Sequence, residues 1–194
     1  VVHHFKKAIM AKYVAIKITE HCDVLFPSGF GPTPYSVLGE IKVTGTVVET
    51  ETPAPVVIPD NVTNLALGAQ VSATESFEGG PWSSASLNDG IWAGSEAEGL
   101  LGWINGIDKA AAHGVLITFK LQEESVLYQA KLYPAKATGG TKPGIEFPQG
   151  YDLLVSMDGI NWTFVDSFTG IDATANTDAE LQPVVHNFDQ PVTA

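Results

Sequence analysis

The longer apolar stretches of this chain alternate. In Tyr13–Thr19, Val14, Ile16 and Ile18 fall on one side and Tyr13, Ala15, Lys17 and Thr19 on the other, the period-two pattern of a half-buried strand. Glu40–Gly45 repeats the pattern with Ile41 and Val43. Val115, Ile117, Phe119 and Leu121 alternate in a third segment, and Val126, Tyr128, Ala130 and Leu132 in a fourth. Tyr151–Met157 and Trp162–Val165 flank Asp158-Gly159, a hairpin signal because glycine accepts the positive φ that tight turns need. Asp108–His113 could form one helical turn, and no long amphipathic helix is evident. With 19 Gly, 12 Pro and only 16% charged residues, the composition favours many short strands over helices. The expected fold is all-β, an antiparallel jelly-roll sandwich. At 194 residues and 44% hydrophobic the chain is long enough to bury a core.

Charge narrows the partners. The ten basic residues are all lysines against 22 acids, a net charge of −12. Without arginine forks or a basic patch, nucleic-acid binding is not expected. The acidity also disfavours anionic membranes. No run approaches 18 apolar residues, so no membrane insertion is expected. Cys22 is the only cysteine and cannot form an intrachain disulfide. Val1-Val2-His3-His4-Phe5 resembles neither an initiator start nor a signal peptide, and is expected to be an interior cut of a longer or processed chain.

Two features organise the chain. Glu49–Val62, ETETPAPVVIPDNV, has three prolines and reads as a linker. It separates residues 1–50 from 64–194, with 51–63 between them. Fifty residues with two clear strands cannot make an independent sandwich, so the first piece must complete something else. The second feature is a repeat. Val1-Val2-His3-His4-Phe5 and Ala11 match Val184-Val185-His186-Asn187-Phe188 and Ala194 at a constant offset, 184 − 1 = 183. Five of eleven positions are identical, and Ile9 faces Val192.

Asn64-Leu65-Ala66-Leu67-Gly68, Ala85-Ser86-Leu87 leading to Asn88-Asp89-Gly90, Gly102-Trp103, Phe147-Pro148 and Ser156-Met157-Asp158-Gly159-Ile160-Asn161-Trp162 stand in the order of a discoidin domain. The chain resembles this family, the coagulation-factor 5/8 C-terminal type, and is similar to family-32 carbohydrate-binding modules. Ala11–Lys17 and Leu38–Val43 resemble the last two strands of the same family, yet here they come first. Animal members usually tie their termini with a disulfide, so the bacterial branch fits better. The resemblance implies a galactose-binding-like jelly roll in circularly permuted or register-shifted order. Residues 1–50 either close onto 64–194 of the same chain or complete a neighbouring copy, as in a tandem repeat. The eleven-residue overlap favours the neighbour, since a closed domain needs only one copy of that strand.

The resemblance also implies sites. Asp89 and Glu40 match its structural calcium site, Ca2+ being a hard cation that takes six to eight oxygens; as residues alone, Asn88-Asp89-Gly90 is a turn and Glu40 a solvated strand residue. The insertion Ala93–Gly99 leaves a third side-chain ligand unassigned. For a glycan, an exposed aromatic face packs on the apolar side of a sugar ring while polar groups bond its hydroxyls. Ser76, Phe77, Glu78 and Trp82 supply both kinds of group, and Phe26, Phe30 and Tyr35 are expected at the same rim. Lys136 stands where many relatives carry an arginine, a weaker fork for hydroxyls. Trp82 and Phe77 could equally cap the core, whereas Trp103 and Trp162 read as core. The five histidines show no metal spacing, and His3 and His186, at equivalent repeat positions, read as structural. Glu96 and Glu98 sit in an acidic loop that cannot hold a general acid and base in fixed geometry, and there is no nucleophile elbow.

The expected function is therefore a non-catalytic, extracellular module for a neutral glycan, on a bacterial cell surface, within a larger adhesin or glycosidase. The alternative is a structural repeat whose copies assemble head-to-tail into a filament by strand complementation.

Overall fold

The structure is a computed structural model that describes residues 2–5, 9–20, 36–47, 60–92, 101–106, 114–135, 143–144, 146–177 and 181–192. The expected helical turn at 108–113, most of the linker, Cys22, Phe26, Phe30, Tyr35, Glu96, Glu98 and Lys136 lie outside the described residues.

Eleven strands follow in chain order among these residues: β1 (Val2–Phe5), β2 (Ile9–Glu20), β3 (Val37–Leu38), β4 (Glu40–Val47), β5 (Thr63–Asn64), β6 (Gln70–Ala73), β7 (Trp103–Ile104), β8 (Val115–Tyr133), β9 (Gly150–Ser156), β10 (Thr163–Phe168) and β11 (Val184–Val192). A 3-10 turn covers Ser84–Leu87. Nine strands form one sheet with the path β1-β11-β8-β2-β9-β10, to which β4, β5 and β6 attach; β3 and β7 pair separately. All pairs are antiparallel except β1 with β11. The chain is all-β, as its alternation predicts, with the antiparallel architecture of a jelly-roll sandwich.

β8 is the hub of the large sheet. Its first half lies between β2 and β6, its second half between β11 and β4. Two strands are expected here from sequence, and the structure joins them through the exposed Gln122-Glu123-Glu124. The inward phase also changes. Val115, Ile117, Phe119 and Leu121 are buried as expected, but in the second half Leu127 is fully buried and Val126 and Tyr128 are only half-buried, before Ala130 and Leu132 resume the core face. Register shifts in β4 and β11 fall at the same level, and such a bulge moves alternate side chains to the other face.

β2 and β4 are built into the sheet formed by the rest of the described chain. β2 lies between β8 and β9, with Val14 opposite Phe119 and Val155 and Ile16 opposite Ile117 and Leu153. Val14, Ile16, Ile18, Ile41 and Val43 are all fully buried, each contributing roughly 1.5–3 kcal/mol of hydrophobic transfer. Strands from both copies of the repeat find a place in this sheet. β1 simply stands beside β11, parallel to it.

Tyr151, Trp103 and Phe119 are the largest fully buried side chains. The Tyr151 hydroxyl hydrogen-bonds the Nε2 of His186, which is also fully buried, and both rings pack on Phe168. His186 is thus structural, as its repeat position suggests. Gly102, at φ +138°, presses on the carbonyl of Leu38 where a Cβ could not fit. That close approach seats Trp103 opposite Leu38 in the β3–β7 pair.

Candidate functional site

The loop between β6 and the 3-10 turn is held by its own acid. Gly79 and Trp82 exchange backbone hydrogen bonds around Gly80-Pro81, with Gly80 at φ +58°, so the loop tip is a tight turn. Glu78 reaches across it. Its carboxylate accepts hydrogen bonds from the Ser76 hydroxyl at 2.5 Å, the Ser83 hydroxyl at 2.9 Å and the Ser84 N–H at 2.9 Å. Desolvation works to raise the Glu78 carboxyl, but the bonds from Ser76, Ser84 and Ser83 outweigh it and lower its pKa to about 2. Ser83 in turn caps the 3-10 turn by accepting the Ala85 N–H.

This fixes the two aromatics differently. Phe77 is 39% exposed, with its ring against Gly79, where a Cβ would meet it at 3.1 Å. Trp82 is half-buried and packs on Val37, Ile104 and Ala135. Of the residues expected at a glycan rim, Ser76, Phe77, Glu78 and Trp82 are therefore brought together, with Phe77 the exposed member and Glu78 engaged in ordering the loop. Phe30 and Lys136 lie outside the described residues.

A second cluster forms where β4 meets the loop after the 3-10 turn. Asn88 anchors that loop by donating from Nδ2 to the carbonyls of Ala66 and Ala69, at 2.8 and 2.7 Å. Asp89 then accepts the Ile91 N–H at 2.7 Å, and Gly90 turns at φ +86°. Glu40 is fully buried, and neither carboxylate oxygen has a hydrogen-bond partner. Desolvation raises its pKa to about 7; Lys42 pulls it down and the nearby charge of Asp89 pushes it up. The turn reading of Asn88-Asp89-Gly90 is right as far as it goes, but Glu40 is not a solvated strand residue. The two unpartnered oxygens of Glu40, with the Asp89 carboxylate nearby, are the donor chemistry of a hard cation. Among the described residues no group of three or more His, Cys, Asp or Glu gathers around one point, so further ligands would have to be backbone carbonyls.

Sequence reasoning misses Trp92. It is 44% exposed and stands 5.9 Å from the Tyr133 ring, with the Lys42 Nζ over both rings at 4.2 and 4.9 Å from their centres. The signal is in the spacing: Glu40 and Lys42 share one side of β4, and Ile91-Trp92 follow the turn that side faces. Trp103 is fully buried as expected, while Trp162 is half-buried and meets Tyr13 edge-on at 6.5 Å.

The antiparallel all-β body, with turns gathered in the loops around Glu78 and Asp89, defines a β-sandwich. The model of the F5/8 type C domain matches residues 70–194, well over half of the chain. The protein belongs to the F5/8 type C, or discoidin, family, whose members are carbohydrate- or phospholipid-binding modules and generally non-catalytic. No curated protein and no solved structure matches the chain significantly. Among the described residues, no helix is long and apolar enough to cross a membrane.

Proposed function

We propose that this chain is a non-catalytic, extracellular glycan-binding module in which the Ser76–Trp82 loop forms the binding rim. The observation that carries this reading is an exposed Phe77 on a loop locked by Glu78, which offers an apolar face without a further ordering cost on binding. Neutral sugars suit the site better than anionic phospholipid, because the chain carries a net charge of −12. One ring face and a few hydroxyl contacts give weak binding, strengthened when several copies act together. A glycan array probed with wild type and Phe77→Ala tests it. Binding lost in the variant, with unchanged melting, supports the rim; binding absent in wild type, or equal in both, removes it.

The same reading includes a structural calcium ion held by Glu40 and Asp89. Two buried carboxylate oxygens without partners support it. The ion would supply fixed positive charge between β4 and the Asp89 loop, tying together segments on either side of the linker.

A second reading, self-assembly of copies of this chain, is favoured by one observation: Val2–Phe5 of one copy of the repeat pairs with Val185–Phe188 of the other in the sheet. Light scattering over a concentration series tests it. Growing oligomers support assembly, and a monomer at all concentrations removes it.

A further inference from the structure

The repeat is paired in a register that follows its own sequence. Val2 lies beside Val185, His3 beside His186, His4 beside Asn187 and Phe5 beside Phe188, so each residue of β1 stands next to its counterpart 183 positions on. Across β11, Val184, Val185, His186 and Asn187 are opposite Leu132, Lys131, Ala130 and Gln129 of β8. Further along β8, β2 takes over, from Ile9 opposite Leu127 to Ile18 opposite Val115. Ile9 and Val192 are themselves counterparts, and both are registered on Leu127. One long run of β8 is thus covered by two pieces that overlap in sequence, and the handover falls on an equivalent pair.

β1 precedes β2 by three residues, and the two together carry a complete cover. Subtracting 183 from the β11 register sets Val2 opposite Lys131, His3 opposite Ala130 and His4 opposite Gln129, leading directly to Ile9 opposite Leu127. β1 stands outside this slot because β11 occupies it. The most demanding position in the slot is that of His186, whose Nε2 is paired with the buried Tyr151 hydroxyl. An apolar replacement would leave that hydroxyl unpaired in the core, but the other copy of the repeat also has histidine there, His3. Val184, buried at the head of β11, likewise has Val1 as its counterpart.

We propose that the Gln129–Leu132 edge of β8 is an exchange site at which β1 of a second copy of this chain replaces the resident β11, its His3 taking the Tyr151 hydroxyl. The proposal rests on the self-assembly reading and specifies its contact. Exchange trades one strand for its near-equivalent, so the hydrogen bonds broken within one chain are remade between two, as in domain swapping. The extent of association is then set by concentration. The displaced β11 is free to take a parallel partner as it does now.

Two populations of the full chain, both carrying Cys22→Ser, test this directly: donors with His4→Cys and acceptors with Gln129→Cys. Neither can form an intrachain disulfide, so a 4–129 link reports a strand from another molecule. Mixing and mild oxidation should give donor–acceptor dimers on a non-reducing gel, and adding His3→Leu to the donor should cut their yield at least fivefold. A Gln129→Cys/Asn187→Cys chain reports the resident pairing by an intrachain link and shows that the sheet has formed. If that control links and no donor–acceptor dimer appears, exchange is overturned. Dimers indifferent to His3→Leu overturn the role of His3. Oligomers in light scattering without the 4–129 link defeat exchange alone, whereas a persistent monomer defeats assembly as well.

Discussion

Gly159 sits against the ring of Tyr13, where a Cβ would come within 3.0 Å of the Cε1 atom. The contact joins β2 to the hairpin between β9 and β10. Gly159 also turns at φ +72°, in a loop where Asp158 accepts the N–H groups of Ile160 and Asn161 at 2.8 and 2.7 Å. Gly159→Ala should therefore destabilise the fold by about 1–2 kcal/mol, from the left-handed backbone alone, with an added term for the displaced ring. Urea unfolding of Gly159→Ala in wild-type and Tyr13→Ala backgrounds separates the two. Equal losses in both backgrounds would show that the ring does not contribute.

β2 and β4 supply core rather than decoration, and single truncations measure that. Ile16 is fully buried between Ile117 and Leu153, while the adjacent Lys17 is exposed. Ile16→Ala should cost about 2–5 kcal/mol, and Lys17→Ala should stay within about 0.5 kcal/mol. Both should unfold in one transition. A separate early transition, unaffected by substitutions in β8, would mean that β2 is not part of the common core.

The strands of this fold are legible because alternation is a local property. Val14, Ile16 and Ile18, and Ile41 and Val43, announce both strand and inward face. What alternation cannot register is a change of neighbours along one strand. The second half of β8 reads as Val126-Tyr128-Ala130-Leu132, yet the register shift beside it turns Leu127 inward. The rim loop is legible from its mixture of aromatic, hydroxyl and acidic groups, but its internal bonding is not. Glu78 presents as a ligand group in sequence and turns out to hold Ser76, Ser83 and Ser84. The burial of Glu40, named from the resemblance as a calcium ligand, and the contact of Trp92 with Lys42 are not legible for a different reason: both depend on β4 meeting a loop some fifty residues away.

The Glu78 bonds predict a displaced titration. A carboxyl lowered in the folded state to about 2 from an ordinary 4.5 contributes order that is fully present above pH 4.5 and is lost as the pH falls through about 2. The Ser84 N–H, which donates to Glu78, reports it. Its amide proton shift, followed by NMR from pH 6 to 1.5, should move with a midpoint near 2, and Glu78→Gln should flatten the curve. A midpoint near 4.5 would show that the loop is not closed around the acid.

Glu40 predicts the opposite sign. Its carboxyl is raised from 4.5 to about 7, chiefly by burial, so the folded state holds a proton that the unfolded chain has released between those values. The associated stability is fully present below pH 4.5 and is lost as the pH rises through about 7. At 1.36 kcal/mol per pH unit the loss approaches about 3 kcal/mol, because an unpaired carboxylate in the core is costly. A cation at Glu40 and Asp89 would remove that cost and bind better as the proton leaves. Unfolding in chelator from pH 5 to 8 should therefore show stability falling in wild type relative to Glu40→Gln. Adding calcium at pH 8 should restore wild type, raising its melting temperature by several degrees, and should leave Glu40→Gln unmoved. Asp89→Ala should lose the calcium response while keeping a pH dependence. Parallel curves for wild type and Glu40→Gln in chelator would sink the titration argument. A pH dependence that calcium does not reverse would sink the ion and leave the buried acid standing.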